Sequence, residues 1–383
     1  MLVFILDLGG ILPGIVMSLF ANDVTSFPWG LLAYPGILSL RGILNGMFCG
    51  RLSTALHLGL VRPRLRGNTR YFSELILLQV SLSALMSLIM SLLICGTMLI
   101  LGMSRYSSLI SAFIVILTTI NLATTFTIPL TAFTGFLAFN KGMDPDIVLY
   151  PIMSTVADVI VTSWYVIIIQ LIVKSIMMGM ITMLVTILSV LFIVLGLLRR
   201  SSTISFSSTL REIKTLMPLF IFLDILQLIT GIFLSNAESK ASNVVVPLLS
   251  IYPVLIDSIG DLGSIIGSRL TTAIALGYVS DISDMLLLSI MNFVQALSAL
   301  FLAHTMISPL PMIIMGGSLS IGTIIATILL MDTISSLIIF ITAFMITVIA
   351  SRSGYDPDNF VNPIISTIAD MVTTASLLLV IVL

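Results

Sequence analysis

Long apolar runs follow one another along almost the whole of this 383-residue chain. Many of them exceed the roughly 18 residues that a segment needs to cross a bilayer as a helix. Only 9% of the residues are charged and 58% are hydrophobic, whereas a soluble domain carries about 25% charged residues. Inside a membrane, a helix satisfies its own backbone hydrogen bonds. The sequence therefore predicts an all-α polytopic membrane protein, with the lipid bilayer as its partner.

The apolar runs predict about eleven membrane spans, divided into two groups of five and a single span that links them. The first group lies near residues 2–20, 29–58, 72–102, 106–139 and 148–173. The linking span lies near 176–197. The second group lies near 215–235, 244–277, 283–307, 310–349 and 360–383. Several of the longer runs contain proline or glycine, so we expect them to tilt, bend or break.

An internal repeat relates the two groups of five spans. Residues 141–163 and 353–375 are identical at 11 of 23 positions when they are aligned with an offset of 212. Upstream, Tyr34 aligns with Tyr252 at an offset of 218, and each tyrosine is followed by proline. We therefore expect three segments. They are a first five-helix repeat at 1–174, a linking transmembrane helix with a basic cytoplasmic segment at 175–214, and a second five-helix repeat at 215–383.

The linking span determines how the two repeats are oriented. Five-span repeats joined directly would point in opposite directions, and one extra span makes them parallel, related by a pseudo-twofold axis along the membrane normal. Positively charged loops stay in the cytoplasm. Basic residues cluster after the second and the sixth span, at Arg62, Arg64, Arg66, Arg70, Arg199, Arg200, Arg211 and Lys214. We therefore expect a cell-membrane protein with a cytoplasmic N-terminus and an extracytoplasmic C-terminus.

Each repeat carries an aspartate inside its fifth span, Asp158 in the first and Asp370 in the second. Both belong to a polar stripe with a spacing of four residues, which lies along one face of a helix. The stripes consist of Tyr150, Ser154, Asp158 and Thr162, and of Asn362, Ser366, Asp370 and Thr374. An acid in hydrocarbon is costly and needs a partner. The duplication favours a bound cation as that partner over hydroxyl groups of neighbouring helices.

The second span of each repeat supplies the other candidate residues. Glycines in these spans allow either close helix packing or exposure of backbone carbonyls to a pore. Two aspartates stand four residues apart in the second repeat alone, so their carboxylates favour a cation path and make the repeats unequal. The candidate residues are Gly42, Asn45, Gly260, Gly263, Asp257 and Asp261.

The second-repeat stripe, from Asn362-Pro363 to Ser366-Thr367 and Asp370, resembles the fifth membrane helix of MgtE-type magnesium channels and of the related solute carrier family 41. A proline followed by Gly260-Asp261-Leu262-Gly263 is similar to the family's second helix, with aspartate at an asparagine position. The first repeat departs further, since it has Gly42-Ile43-Leu44-Asn45 there and a tyrosine in place of Asn362. The resemblance covers both repeats and implies a fused form without the family's cytoplasmic sensing domains.

This resemblance implies transport of a divalent cation, most readily Mg²⁺, through a central pore between the repeats. The repeats would form an intramolecular pseudo-dimer, and a monomer is compatible with this arrangement. Mg²⁺ prefers six oxygen ligands and gives up its waters reluctantly, so the paired aspartates are expected to bind a largely hydrated ion. The expected metal-site residues are Asp158, Asp370, Ser154, Ser366, Asn362, Asp261, Asp257, Asn45, Gly42, Gly260 and Gly263. Mg²⁺ is then the transported ion, and no cofactor is expected.

Other functions are open or disfavoured. The same fold could exchange Mg²⁺ or another divalent metal for sodium or protons, with Asp7, Asp224 and Asp332 as further ionisable groups. An organic-solute transporter is disfavoured because the stripes offer little aromatic surface. No His-Glu-x-x-His or phosphate-binding loop motif occurs, so neither an intramembrane metalloprotease nor an ATP-driven pump is expected. We expect no enzyme and, because no basic cluster of the kind that binds nucleic acid occurs, no nucleic-acid partner. His57 and His304 lack metal-ligand spacing and are expected to be incidental.

Overall fold

The computed structural model describes residues 7–102, 106–143, 145–200, 206–275, 277–279, 281–315, 320–352 and 357–382. These residues are almost entirely helical and contain no strand. After one 3-10 turn at Leu8–Gly10, the first seven helices are α1 (Ile11–Leu19), α2 (Ala21–Thr25), α3 (Gly30–His57), α4 (Arg70–Ile100), α5 (Tyr106–Asn140), α6 (Pro145–Lys174) and α7 (Ile176–Arg200). The others are α8 (Phe206–Leu248), α9 (Tyr252–Ala275), α10 (Ile282–Ile307), α11 (Leu310–Met315), α12 (Ile321–Arg352) and α13 (Pro357–Val382).

Nine stretches of helix in the described residues are long and apolar enough to cross a membrane. They lie on α3 to α8, on α10 with α11, on α12 and on α13. Two further predicted spans correspond to α1 and α9. The apolar helix containing α1 is short, at Leu8–Leu19, and α9 is less apolar because it carries Asp257, Asp261 and Arg269. The prediction of an all-α polytopic membrane protein is confirmed.

Two of the predicted spans differ in outline from the helices that form. The predicted span at 310–349 consists of the short α11 and the long α12, with residues 316–319 outside the described part. Pro309 and Pro311 near its start lack the N–H that a continuous helix would use. The predicted span at 215–235 belongs to the longer α8, which is kinked at Ala241, where φ is −148° and ψ is 62°.

The chain forms two compact units. The first-repeat unit consists of Asn22–Leu228, and the second-repeat unit consists of Met1–Ala21 together with Ile229–Leu383. Helix α1 therefore packs in the second-repeat unit, while the N-terminal half of α8 packs in the first-repeat unit. The predicted segments 1–174, 175–214 and 215–383 rest on sequence similarity, which the packing of the helices does not test, so they stay a prediction.

Close contacts hold these exchanged helices in their units. In the second-repeat unit, α1 approaches the chain so closely that a Cβ atom at Gly14 would lie 2.1 Å from the carbonyl oxygen of Ser250, just before α9. In the first-repeat unit, Nε2 of Gln227 on α8 donates to Oγ of Ser39 on α3 over 2.7 Å. Close backbone approach and interhelical hydrogen bonds are the contacts that hold membrane helices together. The second-repeat unit thus contains α1, which belongs to the first repeat in sequence. The first-repeat unit contains the N-terminal half of α8, which belongs to the second repeat in sequence.

Candidate cation-binding site

In each unit, the helices of the second and fifth predicted spans pack against each other in an antiparallel way. These helices are α3 and α6 in the first-repeat unit and α9 and α13 in the second-repeat unit. In the first-repeat unit, the hydroxyl oxygens of Tyr34 on α3 and Thr162 on α6 lie 3.3 Å apart. In the second-repeat unit, those of Tyr252 on α9 and Thr374 on α13 lie 2.8 Å apart. The threonine of each predicted stripe is therefore hydrogen-bonded to the tyrosine of each predicted second span. This contact gives both helix pairs the same register.

Asp158 lies on α6 with only 2% of its surface exposed. Its carboxylate forms an ion pair with Arg41 of α3, which is itself 8% exposed. The guanidinium also donates through Nη1 to the backbone carbonyl oxygen of Ser154 over 3.3 Å. A buried charge is tolerated only when it is paired. In the first-repeat unit, the partner of the predicted aspartate is therefore a side chain of the same unit.

Arg41 is absent from the residues that the sequence predicts for the site. It stands within an apolar helix, where an arginine needs an acidic or carbonyl partner, and this is the signal that points to it. The sequence does not say which acid it meets, because Arg41 and Asp158 are 117 residues apart in the chain. Only the packing of α3 on α6 brings them together.

Asn45 and Ser154 lie near this ion pair. Nδ2 of Asn45 donates to the carbonyl oxygen of Met153 over 3.3 Å, and its Oδ1 accepts from Oγ1 of Thr131 over 3.1 Å. Both polar atoms of this buried amide therefore join α3 to α5 and α6. Ser154 is half-buried, and its carbonyl is bonded to Arg41. The fold brings the predicted first-repeat residues together, and a guanidinium lies among them.

Asp370 and Asp257 lie at the same level of the α9–α13 pair. The hydrogen bond from Tyr252 reaches α13 one turn after Asp370. A Cβ atom at Gly260 would lie 3.8 Å from Cα of Ser366, one turn before Asp370. Asp257 lies on α9 between these two contacts, so both aspartates are enclosed by the same pair of helix contacts. Asp370 is 5% exposed, which places its carboxyl group inside the helix packing.

The remaining stripe residues of the second repeat are described in part. Ser366 is exposed on α13, one turn before Asp370. The backbone of Asn362 is helical, and its side chain lies outside the described residues. A Gly-x-Asp-Pro segment precedes each stripe, at 142–145 and at 354–357. Residues 144 and 354–356 of these segments lie outside the described residues.

A third carboxyl group reaches α9 from the start of the chain. Oγ of Ser258 donates to Oδ2 of Asp7 over 3.1 Å. The Asp7 carboxyl group lies within hydrogen-bonding reach of Asp261, and the charge of Asp257 also acts on it. Asp7 thus joins the two acids that the sequence predicts on α9. In the part of the chain that the structure describes, no three His, Cys, Asp or Glu side chains are arranged to bind a metal ion directly, although carboxylates also contact Mg²⁺ through its waters.

The candidate glycines differ in what surrounds them. A Cβ atom at Gly263 would lie 2.5 Å from Cγ2 of Ile365 and 3.0 Å from Cγ1 of Ile339. One at Gly260 would only touch α13, at 3.8 Å from Ser366. One at Gly42 would meet no atom within 4 Å beyond its own helix backbone. Gly263 is thus required for helix packing, whereas Gly42 borders open space.

Alanine at Gly263 and at Gly42 is expected to change stability in opposite directions. Gly263→Ala should lower the free energy of unfolding by about 1–3 kcal/mol, because the new methyl group overlaps two isoleucines. Gly42→Ala should raise it by about 0.4–1 kcal/mol, because alanine restricts the unfolded chain and meets no clash. Thermal unfolding of the two purified variants in detergent measures both changes. Equal shifts would contradict the packing role of Gly263.

His304 and Asp332 form a buried pair between α10 and α12. Nδ1 of His304 lies 2.9 Å from Oδ2 of Asp332 and 3.0 Å from its Oδ1. Both side chains are fully buried, and Nε2 of His304 has no partner among the described residues. The expectation that His304 is incidental is therefore wrong, since it is the partner of Asp332. At an offset of 212, Ile120 aligns with Asp332, so this pair belongs to the second repeat alone.

A known protein family matches two regions of the chain. The sequence profile of the MgtE family, described as divalent cation transporters, matches residues 34–168 and 252–380. The first match contains α4 and α5 with most of α3 and α6, and the second contains α9 to α12 with most of α13, so they cover both helix pairs. No significant match is found among curated proteins or solved structures.

Proposed function

Because the chain belongs to the MgtE family of divalent cation transporters, we propose that it carries Mg²⁺ across the membrane in which its helices lie. The observation that supports this proposal is that the family match occurs twice and includes both antiparallel helix pairs. Mg²⁺ takes hard oxygen ligands and keeps several of its waters. Carboxylates, a serine hydroxyl and backbone carbonyls are the groups that the α9–α13 pair presents.

We place the ion-binding groups on α9 and α13. Asp370 supplies the central carboxylate, with Asp257 at the same level and Asp261 one turn away on α9. Ser366 and the carbonyls beside the glycines of α9 would contact the waters of the ion. The predicted contributions of Asn362, of the first-repeat residues and of a pore between the repeats stay predictions.

Purified protein in liposomes tests the transport directly. We expect Mg²⁺ to enter liposomes that contain the protein at least about tenfold faster than protein-free liposomes, as a fluorescent Mg²⁺ indicator inside them reports. The same assay with Mn²⁺, Co²⁺ and Ca²⁺ measures the selectivity. Equal entry with and without protein for all four ions would contradict the proposed function.

A coupled exchanger is a second candidate, and the buried His304–Asp332 pair favours it. Ionisable groups inside a membrane mark ion or proton pathways, and this acid and histidine lie buried together between α10 and α12. Proton or sodium gradients across the same liposomes separate the two functions. An exchanger requires Mg²⁺ flux that follows the gradient, whereas a channel conducts Mg²⁺ equally without it.

The chain is a multi-pass membrane protein, and we propose that its N-terminus is cytoplasmic. The basic residues Arg62, Arg64 and Arg66 follow α3, and positively charged loops stay in the cytoplasm. Labelling of a cysteine introduced at Arg64 by a membrane-impermeant reagent tests this orientation in intact cells. Labelling before cell lysis would contradict it.

A further inference from the structure

The second helices of the two repeats differ at one position beside the conserved aspartate. Arg41 on α3 aligns with Ile259 on α9 at the offset of 218. The neighbouring scaffold is alike, since both helices carry the tyrosine that bonds to the stripe threonine. Ile259 is fully buried and cannot neutralise a carboxylate. The second repeat therefore has no arginine at the position that Arg41 occupies in the first.

The guanidinium of Arg41 occupies a position that a cation could take. It contacts the Asp158 carboxylate and the carbonyl oxygen of Ser154. These two oxygens are hard ligands of the kind that Mg²⁺ binds directly or through water. Nε of Arg41 is buried and has no hydrogen-bond partner among the described residues. The surroundings thus supply oxygens for a positive charge without satisfying all the donors of an arginine.

The second repeat has the opposite arrangement of charge. At the positions where α3 has Ser39 and Ile43, α9 has Asp257 and Asp261. The N-terminal segment adds Asp7 to this group. Carboxyl groups at such short distances repel one another when ionised, and a cation among them relieves that repulsion. Carboxyl groups are therefore concentrated in the repeat that has no arginine at the position of Arg41.

We infer that Arg41 is a built-in substitute for a bound cation at Asp158, so that the chain itself supplies the positive charge of the first repeat. This inference rests on the proposed transport in one respect, since it assigns the transported ion to the second repeat. A fixed guanidinium also repels a mobile cation nearby, and in a medium of low dielectric constant that repulsion is strong.

Arg41→Ile tests this inference, because it gives the first repeat the residue that the second repeat has. With the guanidinium removed, Asp158 and the Ser154 carbonyl can bind Mg²⁺ in its place. We expect MgCl₂ at millimolar concentration to raise the unfolding temperature of Arg41→Ile in detergent by about 2–4 °C more than that of the unchanged protein. NaCl at the same ionic strength should not reproduce this extra shift.

The double variant Arg41→Ile/Asp158→Asn is the matched control. It contains no unpaired buried charge, so it should fold, and its response to MgCl₂ should equal that of the unchanged protein. If Arg41→Ile and the double variant respond to MgCl₂ alike, Asp158 is not a cation position and the inference is wrong. The inference is also wrong if the double variant folds while Arg41→Ile fails to fold even with MgCl₂ present throughout purification.

This test separates the inference from the proposed function. Unfolding temperatures report binding at Asp158 whether or not the protein conducts ions, and the liposome assay reports conduction by the unchanged protein. An extra shift together with no flux would contradict the proposed transport and retain the substitute cation. Mg²⁺ flux without an extra shift in unfolding temperature would support the proposed transport and contradict the role of Arg41 as a substitute cation.

Discussion

Asp370→Asn is expected to lower Mg²⁺ flux through the protein by about tenfold to a hundredfold. Asparagine keeps the shape of the side chain and one oxygen, but it removes the negative charge. An interaction with a charged group contributes about 1.5–3 kcal/mol, and each 1.4 kcal/mol corresponds to about a factor of ten in affinity. Because Asp370 is buried in the α9–α13 pair, bulk water cannot solvate the ion there in place of the lost carboxylate. Initial rates of Mg²⁺ entry into liposomes, at equal protein content, measure the change.

Asp281→Asn is the matched control for this prediction. It makes the same chemical change at an exposed residue, the N-cap of α10, whose side chain makes no capping hydrogen bond. Flux through this variant should stay within about twofold of that of the unchanged protein, since a solvated surface charge contributes little. Flux through Asp370→Asn that remains equally high, in protein with an unaltered unfolding temperature, would contradict the assignment of the ion to α9 and α13.

Much of the fold could be predicted from the sequence because each membrane helix must be apolar over its own length. The predicted run at 72–102 is α4, and that at 106–139 is α5. The stripe threonines share a helix face with the aspartates, and this follows from helical spacing alone. Charged residues weaken the signal, and for this reason α9 is the long helix that composition identifies least well.

The exchange of first helices could not be predicted in this way. Which helix packs against α1 depends on contacts between Gly14 and Ser250, 236 residues further along the chain. A glycine pattern indicates that some backbone will approach closely. It does not identify which backbone approaches, because many glycines in these helices could form such a close contact.

The partners of the buried charged residues also cannot be predicted from the sequence. Asp158 meets Arg41, and Asp332 meets His304, across pairs of helices that only the folded chain brings together. In both cases the sequence offers an acid and a base in apolar runs, and several pairings satisfy that pattern. The consequence for the candidate site is large, since one of the two duplicated aspartates already has its cation and the repeats are unequal in charge.

Asp158→Ala is expected to lower the free energy of unfolding by about 3–5 kcal/mol, because it leaves the guanidinium of Arg41 buried without its anion. Arg41 cannot easily reach water, since it is only 8% exposed and lies within α3. Unfolding of the purified protein by sodium dodecyl sulfate in mixed micelles measures this cost. Glu212→Ala provides the comparison within the same unit. Glu212 pairs with Arg51 over 3.1 Å with both side chains partly exposed, so its loss should cost at most about 1 kcal/mol.

The double substitution Arg41→Met/Asp158→Leu separates the cost of an unpaired charge from the value of the ion pair. Replacing a buried pair by apolar side chains of similar size is often neutral or stabilising, because neither charge then has to be removed from water. We therefore expect the double variant to recover most of the stability that Asp158→Ala loses. A double variant that is as unstable as Asp158→Ala would contradict this. It would show that the pair itself, rather than the avoidance of a lone buried arginine, stabilises the contact between α3 and α6.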